Sequence, residues 1–477
     1  MIRFLATLLI SIFITQIRPA TRSCQPEQIH IALSDAFTSH PTSASTIKVI
    51  FHTQSECNSA YITLKTPSGL QKVTASQINY FTESYKKGWY ETYVHVFDFN
   101  NLAFSQIYEY TCYGTENTQT EFDGPFEFYV PNPKSDGSET NVVMFGDMDV
   151  SSEGMTTINR LMRLAAANFT KISAFIHVGD LAYNLSTRSG AVGDNYMRTI
   201  QQFTANMPYM VTAGNHEEFN NFSNFNMRFH MPLHKETQNH YHSYNIGNMH
   251  FTSFNMDLVL WYPELKQAML DWLAKDLDEA NRNRKERPWI IAYTHRPIYC
   301  SHNDQDCNTN SKRFKEFEHV LNKYNVDLVV AGHVHIYERM LPIRKNNIAD
   351  FHYVPGDITF NSIVNPKGPV HVVQGMAGHR GDYAEAKDAY DGKQFTVMVD
   401  KAYSYMAVRS TNSTHLHVEN FRSDSGTVND EFYIIKSGEA RFTKLPRYKM
   451  PPSLKTNNYL RNSKQLNKFF KKYYIMN

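Results

Sequence analysis

The chain has 477 residues, of which 42% are hydrophobic and 20% charged, and its formal net charge is +2. That length calls for two or three domains. The apolar fraction is ordinary for a globular protein, and the near-balanced charge excludes a global bias toward nucleic acid or membrane surfaces.

Arg3 and the short apolar run 4–14 have the layout of a secretory signal peptide, which we assign to residues 1–23. The run is too short to cross a bilayer comfortably. No later stretch is apolar for long enough, so the mature protein is expected to be soluble and without a stable membrane anchor. The expected localisation is secreted or extracellular, with the lysosome a compatible destination. Cys24, Cys57, Cys112, Cys300 and Cys307 can pair in that compartment. Cys300 and Cys307 are close enough in sequence to close one small loop, an odd cysteine is left over, and the pairing of Cys24, Cys57 and Cys112 stays open. Glycosylation sequons begin at Asn168, Asn184, Asn221 and Asn412.

Residues 24–131 contain short β-like runs, among them TIKVIFHT, AYITLKT, TYVHVFDF and FEFYV. Their alternation and β-branched content predict an all-β sandwich. With no metal-ligand cluster in it, this domain reads as a packing and docking module. PNPKSDGSET (131–140) is a linker rich in turn residues.

The pattern then changes. NVVMFGD, AFIHVGD, PYMVTAGN, HFTSFNM, PWIIAYTH, VDLVVAGH and GPVHVVQG read as buried strands. Between them lie helical stretches: TTINRLMRLAAANF with Ser151 or Ser152 as N-cap, NYMRTIQQFTANM, PELKQAMLDWLAKDLDEANR opening on a proline, and 313–325. Strands alternating with helices predict an α/β layered domain, placed at 138–436. Residues 437–477 form a basic tail; from Arg441 to Asn477 it has ten Lys or Arg and no Asp or Glu. It is expected to be solvated and dispensable.

Metal-ligand residue types fall at the ends of these strands: Asp147 in FGDMD, Asp180 and Tyr183 in GDLAY, Asn215, His216 and Glu217 in GNHE, His295 in YTHRP, and His333 and His335 in AGHVH. Ligands of open α/β sheets bind beyond the carboxyl ends of the strands, so residues far apart in sequence can converge in one crevice. Oxygen and imidazole donors together suit transition metals. Two such ions about 3.5–4 Å apart clamp a phosphoryl group for in-line displacement. The glycines before these residues (Gly146, Gly179, Gly214, Gly332) are expected to permit the sharp turns that expose them. Any one piece is commonplace, but the ordered set is not.

The order and wording resemble the calcineurin-like metallophosphoesterases from about 141 to 340, and more narrowly the purple acid phosphatases of the larger animal type. The discriminator is GDxxY, present as Gly179-Asp180-Leu181-Ala182-Tyr183. PEQIHIAL, HRPIYC and THLHVENFRSDSGTVNDEFYIIK extend the similarity over nearly the whole mature chain except the tail. The resemblance implies a multidomain protein, with a fibronectin III-like β-sandwich before an α/β metallophosphoesterase sandwich. It implies Fe(III) held by Asp147, Asp180, Tyr183 and His335, and a divalent ion (Zn, Fe or Mn) held by Asp180, Asn215, His295 and His333, with Asp180 bridging. His216 would stand just outside, near the leaving group or the phosphate, as the catalytic histidine. Asp149 departs from the family's GDxG; it is expected to strain the turn or to add negative charge beside the metals. His302 lies where relatives place a substrate-facing histidine, but it is kept out of the site because the loop spacing is ambiguous.

The resemblance implies a secreted acid phosphatase, a phosphoric monoester hydrolase acting on phosphate-ester substrates. No covalent nucleophile occurs in these motifs, so direct attack by a metal-bound hydroxide is expected. A phosphodiesterase or nucleotide pyrophosphatase with the same metals, an inactive secreted binding protein and a redox role for a di-iron centre are the competing readings. Nucleic acid is not an expected partner, and the oligomeric state is left open.

Overall fold

A computed structural model describes residues 23–39, 45–85, 88–135, 137–301, 307, 312–354, 357, 359–379, 395–410, 412–437 and 443–444. The leader, His302 and most of the basic tail lie outside the described residues.

The N-terminal runs pair into two antiparallel four-stranded sheets. One orders its strands Glu27–Leu33, Ser45–Thr53, Gly88–Asn100 and Gln77–Tyr85; the other orders Gly69–Thr74, Ser59–Thr66, Gln106–Glu116 and Gln119–Val130. Alternation aims one set of side chains inward, so Ile47, Val49 and Phe51 meet Ile62, Leu64, Tyr110 and Cys112 in a shared core. The intervening Ile50 points the other way and packs with Tyr90, Val94 and Met227, so strand Ser45–Thr53 is buried on both faces there. Arg228, fully buried, crosses the same junction. Its guanidinium donates to Gln28 Oε1 (2.5 Å), Tyr90 Oη (3.0 Å) and Asp194 Oδ1 (2.9 Å). A buried guanidinium needs this much pairing to offset its lost hydration. The main apolar cluster runs without a break from Ile29 to Ile434, so the sandwich is welded to the α/β region.

That region is built on two larger sheets, of nine and seven strands. In the first, Thr140–Phe145, Ala174–His177 and Tyr209–Val211 run parallel. In the second, Trp289–Tyr293, Leu328–Ala331 and Val370–Gln374 do so. All of these strands are buried along their full length, as parallel strands covered on both faces must be. Helices Ser152–Ala167, Ala191–Thr204, Lys266–Arg282 and Lys315–Lys323 fall where the apolar period placed them. Ser151 caps the first by accepting from the Gly154 amide. The helix expected to open at Pro263 begins instead as a 3-10 turn, Pro263–Leu265, before the α-helix proper.

Strands Ser404–Ser410, His415–Arg422 and Val428–Ile435 extend the nine-stranded sheet beside Thr140–Phe145. Strand Tyr337–Met340 was not foreseen, because its sequence YERM hides a buried strand behind two charges. Glu338 accepts from Thr396 Oγ1 (2.6 Å) and the Ser301 amide (2.9 Å), and Arg339 pairs with Asp430 (2.7 Å). Two disulfides link Cys24 to Cys57 and Cys300 to Cys307, leaving Cys112 free and buried. No described helix is long and apolar enough to cross a membrane.

Candidate active site

The carboxyl ends of the parallel strands of both large sheets open on one crevice. Asp147 follows Thr140–Phe145, Asp180 follows Ala174–His177, and Asn215 opens a 3-10 turn beyond Tyr209–Val211. His295 follows Trp289–Tyr293, and His333 and His335 follow Leu328–Ala331.

Several of these residues hold left-handed backbone: Asp147 (φ 64°), Asp180 (φ 52°), Tyr183 (φ 45°) and His333 (φ 71°). Side chains seldom adopt that region, and strain of this kind collects at functional sites. The neighbouring glycines serve a different purpose from the one expected. Of those four, Gly179 alone is left-handed (φ 93°). At Gly214 a Cβ would lie 2.2 Å from Asp180 Oδ1, and at Gly332 one would lie 2.4 Å from Asp147 Oδ2. Glycine is needed there because the backbone crowds the carboxylates.

The donors face one another. Asp180, His295 and His333 each bring a ligand atom within 4.8 Å of the other two. His295 Nε2 is 3.1 Å from Asp180 Oδ2 and 3.3 Å from Asn215 Oδ1, while its Nδ1 meets the Val178 carbonyl at 2.9 Å. That carbonyl takes the Nδ1 proton and leaves Nε2 as the nitrogen that would ligate. Across Asp147 stands a second group: Tyr183 Oη lies 3.1 Å from Asp147 Oδ1 and 2.7 Å from His335 Nε2, and His335 Nε2 is 3.4 Å from Asp147 Oδ1. The His333 amide donates to both Asp147 oxygens, at 3.1 and 3.0 Å. His216 is about a third exposed; its amide donates to Asp180 Oδ1 (3.0 Å), and its Nε2 is 3.8 Å from Oδ2.

Electrostatics follow from packing two buried carboxylates among imidazoles. Burial alone would raise the Asp180 carboxyl, but His295, His216 and His333 hold it far below the usual range. Burial would likewise lower His295, yet Asp180 and Asp147 carry it up to about 10. Burial, seconded by Asp147 and Asp180, holds the Tyr183 phenol well above 10, so a cation bound there must displace that proton. Burial lowers His216, against the pull of Asp180.

Other residues surround this set. Glu217 is buried and accepts the amides of Asp180 (3.0 Å), Leu181 (2.9 Å) and Gly214 (2.8 Å), tying two motif loops together. Asn184 Oδ1 meets His216 Nδ1 at 2.5 Å, so the sequon asparagine orients the histidine. Sequence reasoning treated Asn184 only as a glycan acceptor. Arg296 was missed; it donates to His333 Nε2 (2.8 Å) and is itself held by Asp257 (2.8 Å). Its place directly after His295 was the available signal. Asp149 is not left-handed, so the expected strain is absent. Its carboxylate is engaged by His379 Nδ1 (2.9 Å) and by Ser151, through the amide (2.9 Å) and Oγ (2.5 Å). A second His/Glu cluster, His417, Glu419 and Glu431, lies on the C-terminal strands, where Arg409 already pairs with Glu419.

The buried carboxylates, imidazoles and phenol, with glycines leaving room beside them, fit a pair of metal ions. Fold and site together define a calcineurin-like metallophosphoesterase. Residues 140–337 match the family model described as calcineurin-like phosphoesterase, and residues 368–431 match that described as iron/zinc purple acid phosphatase-like protein C. Acid phosphatase type 7 of Danio rerio is 34% identical over 314 residues, covering 61% of this chain and 67% of that protein. The Homo sapiens protein of the same name is 33% identical over 313 residues, covering 62% and 67%. The solved purple acid phosphatase from yellow lupin (Lupinus luteus) seeds shares the fold, with a TM-score of 0.71 at 20% identity, covering 88% of this chain and 76% of that one. The chain belongs to the purple acid phosphatase family and is an acid phosphatase by class. The family holds a binuclear metal centre.

Proposed function

We propose that this chain is a secreted acid phosphatase that hydrolyses phosphate monoesters with a hydroxide furnished by two metal ions. The observation that carries the reading is the convergence of Asp147, Asp180, Tyr183, His295, His333 and His335 in one crevice from two different sheets. Asp147, Asp180, Tyr183 and His335 would hold Fe(III), and Asp180, Asn215, His295 and His333 would hold a divalent ion (Zn, Fe or Mn), with Asp180 shared between them. When bound, a trivalent ion lowers the pKa of water enough to supply hydroxide at acidic pH, and the pair offsets charge on the transferring group.

The chain's own residues do the rest. His216, about a third exposed and steadied by Asn184, would when protonated at low pH donate a hydrogen bond to the phosphate or a proton to the leaving oxygen. Glu217 holds the Asp180 and Gly214 loops at a fixed separation. Arg296, anchored by Asp257, orients His333. We further assign residues 24–131 and 138–436 to the docking and catalytic domains, in keeping with their separate sheets. Secretion is supported by the two disulfides and the apolar leader. The hydrogen-bonded state of Asp149 removes the motive for an inactive protein.

The test joins metal analysis to colour. A phenolate on ferric iron gives a visible charge-transfer band, which carboxylate, amide and imidazole ligands do not. Tyr183→Phe in iron-loaded protein should lose that band and keep part of its monoesterase activity. A ferric protein that is colourless, or a variant with the full band, removes Tyr183 from the ligand set. Turnover of a diester above that of a monoester would favour the phosphodiesterase reading.

A further inference from the structure

We propose that Asp149 and His379 form a positioning pair for Tyr183, in which the Asp149 carboxylate holds the His379 imidazole flat against the phenol ring. The proposal rests on the reading of Tyr183 as an iron ligand.

The His379 and Tyr183 rings stack with centroids 3.4 Å apart and planes within 9°. Left alone, aromatic pairs favour offset or edge-on arrangements over a face-to-face sandwich. A flat stack therefore needs anchoring, and the fold anchors His379 at both ends. Its amide donates to the Asp147 carbonyl (3.1 Å), and its Nδ1 meets Asp149 Oδ2 (2.9 Å). Asp149 is immobilised in turn, because its Oδ1 accepts the amide and hydroxyl of the helix cap Ser151. Ser151 Oγ also reaches the Gly378 carbonyl (3.1 Å). At Gly378 (φ 123°) a Cβ would lie 2.5 Å from the Gly154 backbone, so the loop carrying His379 is pressed onto the start of helix Ser152–Ala167. The result is a braced unit: cap, carboxylate, imidazole, phenol.

The consequence lies at the phenol oxygen. Tyr183 Oη must point between Asp147 and His335, and Tyr183 sits in a left-handed conformation that gives its side chain no regular support. A ring lying flat on the phenol bars it from tilting toward that face and so holds Oη on that line. His379 thus acts through Tyr183 and not on substrate. Asp149, the residue that departs from the family pattern, supplies the acceptor that glycine there would lack.

The test is the visible band of iron-loaded full-length protein, read beside iron content, kcat and KM on an aryl phosphate monoester. Asp149→Gly and His379→Ala should each move the band maximum and broaden it while iron content holds. Each should lower kcat by up to about tenfold, below the ~100-fold that a 1 Å misplacement can cost, with KM little changed. The double variant should match the singles, since the two residues act as one unit. Asp149→Asn, which keeps an acceptor, should return the band toward its unmutated position. If His379→Ala loses iron, His379→Phe decides: its ring cannot bond Asp149, and a band at the unmutated position overturns the pair. Unmoved bands in both single variants, or effects that simply add, also overturn it. An unmutated ferric protein with no band sinks the ligand reading instead, which is a different result.

Discussion

The N-terminal sandwich and the metal crevice solve opposite problems. In the sandwich, strand Gln106–Glu116 alternates buried and less buried residues along its length, and its buried members are apolar or aromatic. Local propensity, pattern and packing agree there. In the crevice the buried residues are carboxylates and imidazoles, and several occupy left-handed backbone that their residue types disfavour. The crevice persists only because the strands beneath it, from Thr140–Phe145 to Leu328–Ala331, are buried along their length. Proteins accept such local conflict where function requires it and offset it elsewhere.

The sharpest way to break that contrast is to remove Asp180, the carboxylate proposed to bridge the two ions. Asp180→Ala should lose both metals and cut turnover by at least about 1000-fold, a loss of several kcal/mol of transition-state stabilisation. Metal content of the purified variant checks it. Two metal equivalents with near-normal turnover would show that Asp180 does not bridge.

Glu217→Ala probes how the crevice is braced without touching an assigned ligand. Three buried amides, of Asp180, Leu181 and Gly214, would lose their acceptor. Stranded donors cost about 1–3 kcal/mol each, so the variant should lose at least about 3 kcal/mol, read from its denaturant midpoint. A change below about 1 kcal/mol would mean that the motif loops are held by other contacts.

Acid sharpens the comparison from the sandwich side. Burial pushes His30 and His95 down to about 4, so both are neutral in the fold. Unfolded histidine titrates near 6.5. Their folded pKa is the lower one, so their contribution is fully present above pH ~6.5 and is lost as pH falls from there toward 4. Each such histidine removes about 2 kcal/mol between pH 7 and 5. His95→Leu should flatten the fall in stability over that range by about this amount, as urea titrations at the two pH values would show. An unchanged slope would place the acid sensitivity elsewhere.

Legibility in the sequence followed the same division. Alternation and apolar runs marked the sandwich strands and the parallel strands because burial there is plainly apolar. The site residues were readable because each strand ends in a polar motif, and the structure brings Asp147, Asp180, Tyr183, Asn215, His216, His295, His333 and His335 to one crevice. Residues that work through others were hidden. Asn184 looked like a sequon, Arg296 drew no reading of its own, and Asp149 looked like a departure from the motif. His379 is 230 residues from Asp149, and no local pattern can reveal a partner at that distance. Strand Tyr337–Met340 was masked because Glu338 and Arg339 are neutralised by residues distant in sequence.

The smallest effect is expected where the packed chain ends. Asn365 grips Ser437 from both sides: its Nδ2 donates to the Ser437 carbonyl and its Oδ1 accepts the Ser437 amide, each at 2.9 Å. Beyond that point the described chain adds a two-residue edge strand, Thr443–Lys444, paired with His352–Tyr353. An edge pair of this length contributes few ladder hydrogen bonds, each worth about 0.5–1.5 kcal/mol net. The rest of the tail is basic and sparse in apolar pattern, which favours solvation over packing. Truncation after Ser437 should therefore leave phosphatase activity unchanged and lower stability by about 1 kcal/mol at most. A thermal melt of the truncated protein decides it. A large fall would mean that the edge strand seals the nine-stranded sheet, and the division between the catalytic region and a dispensable tail would have to move to the C-terminal side of Lys444.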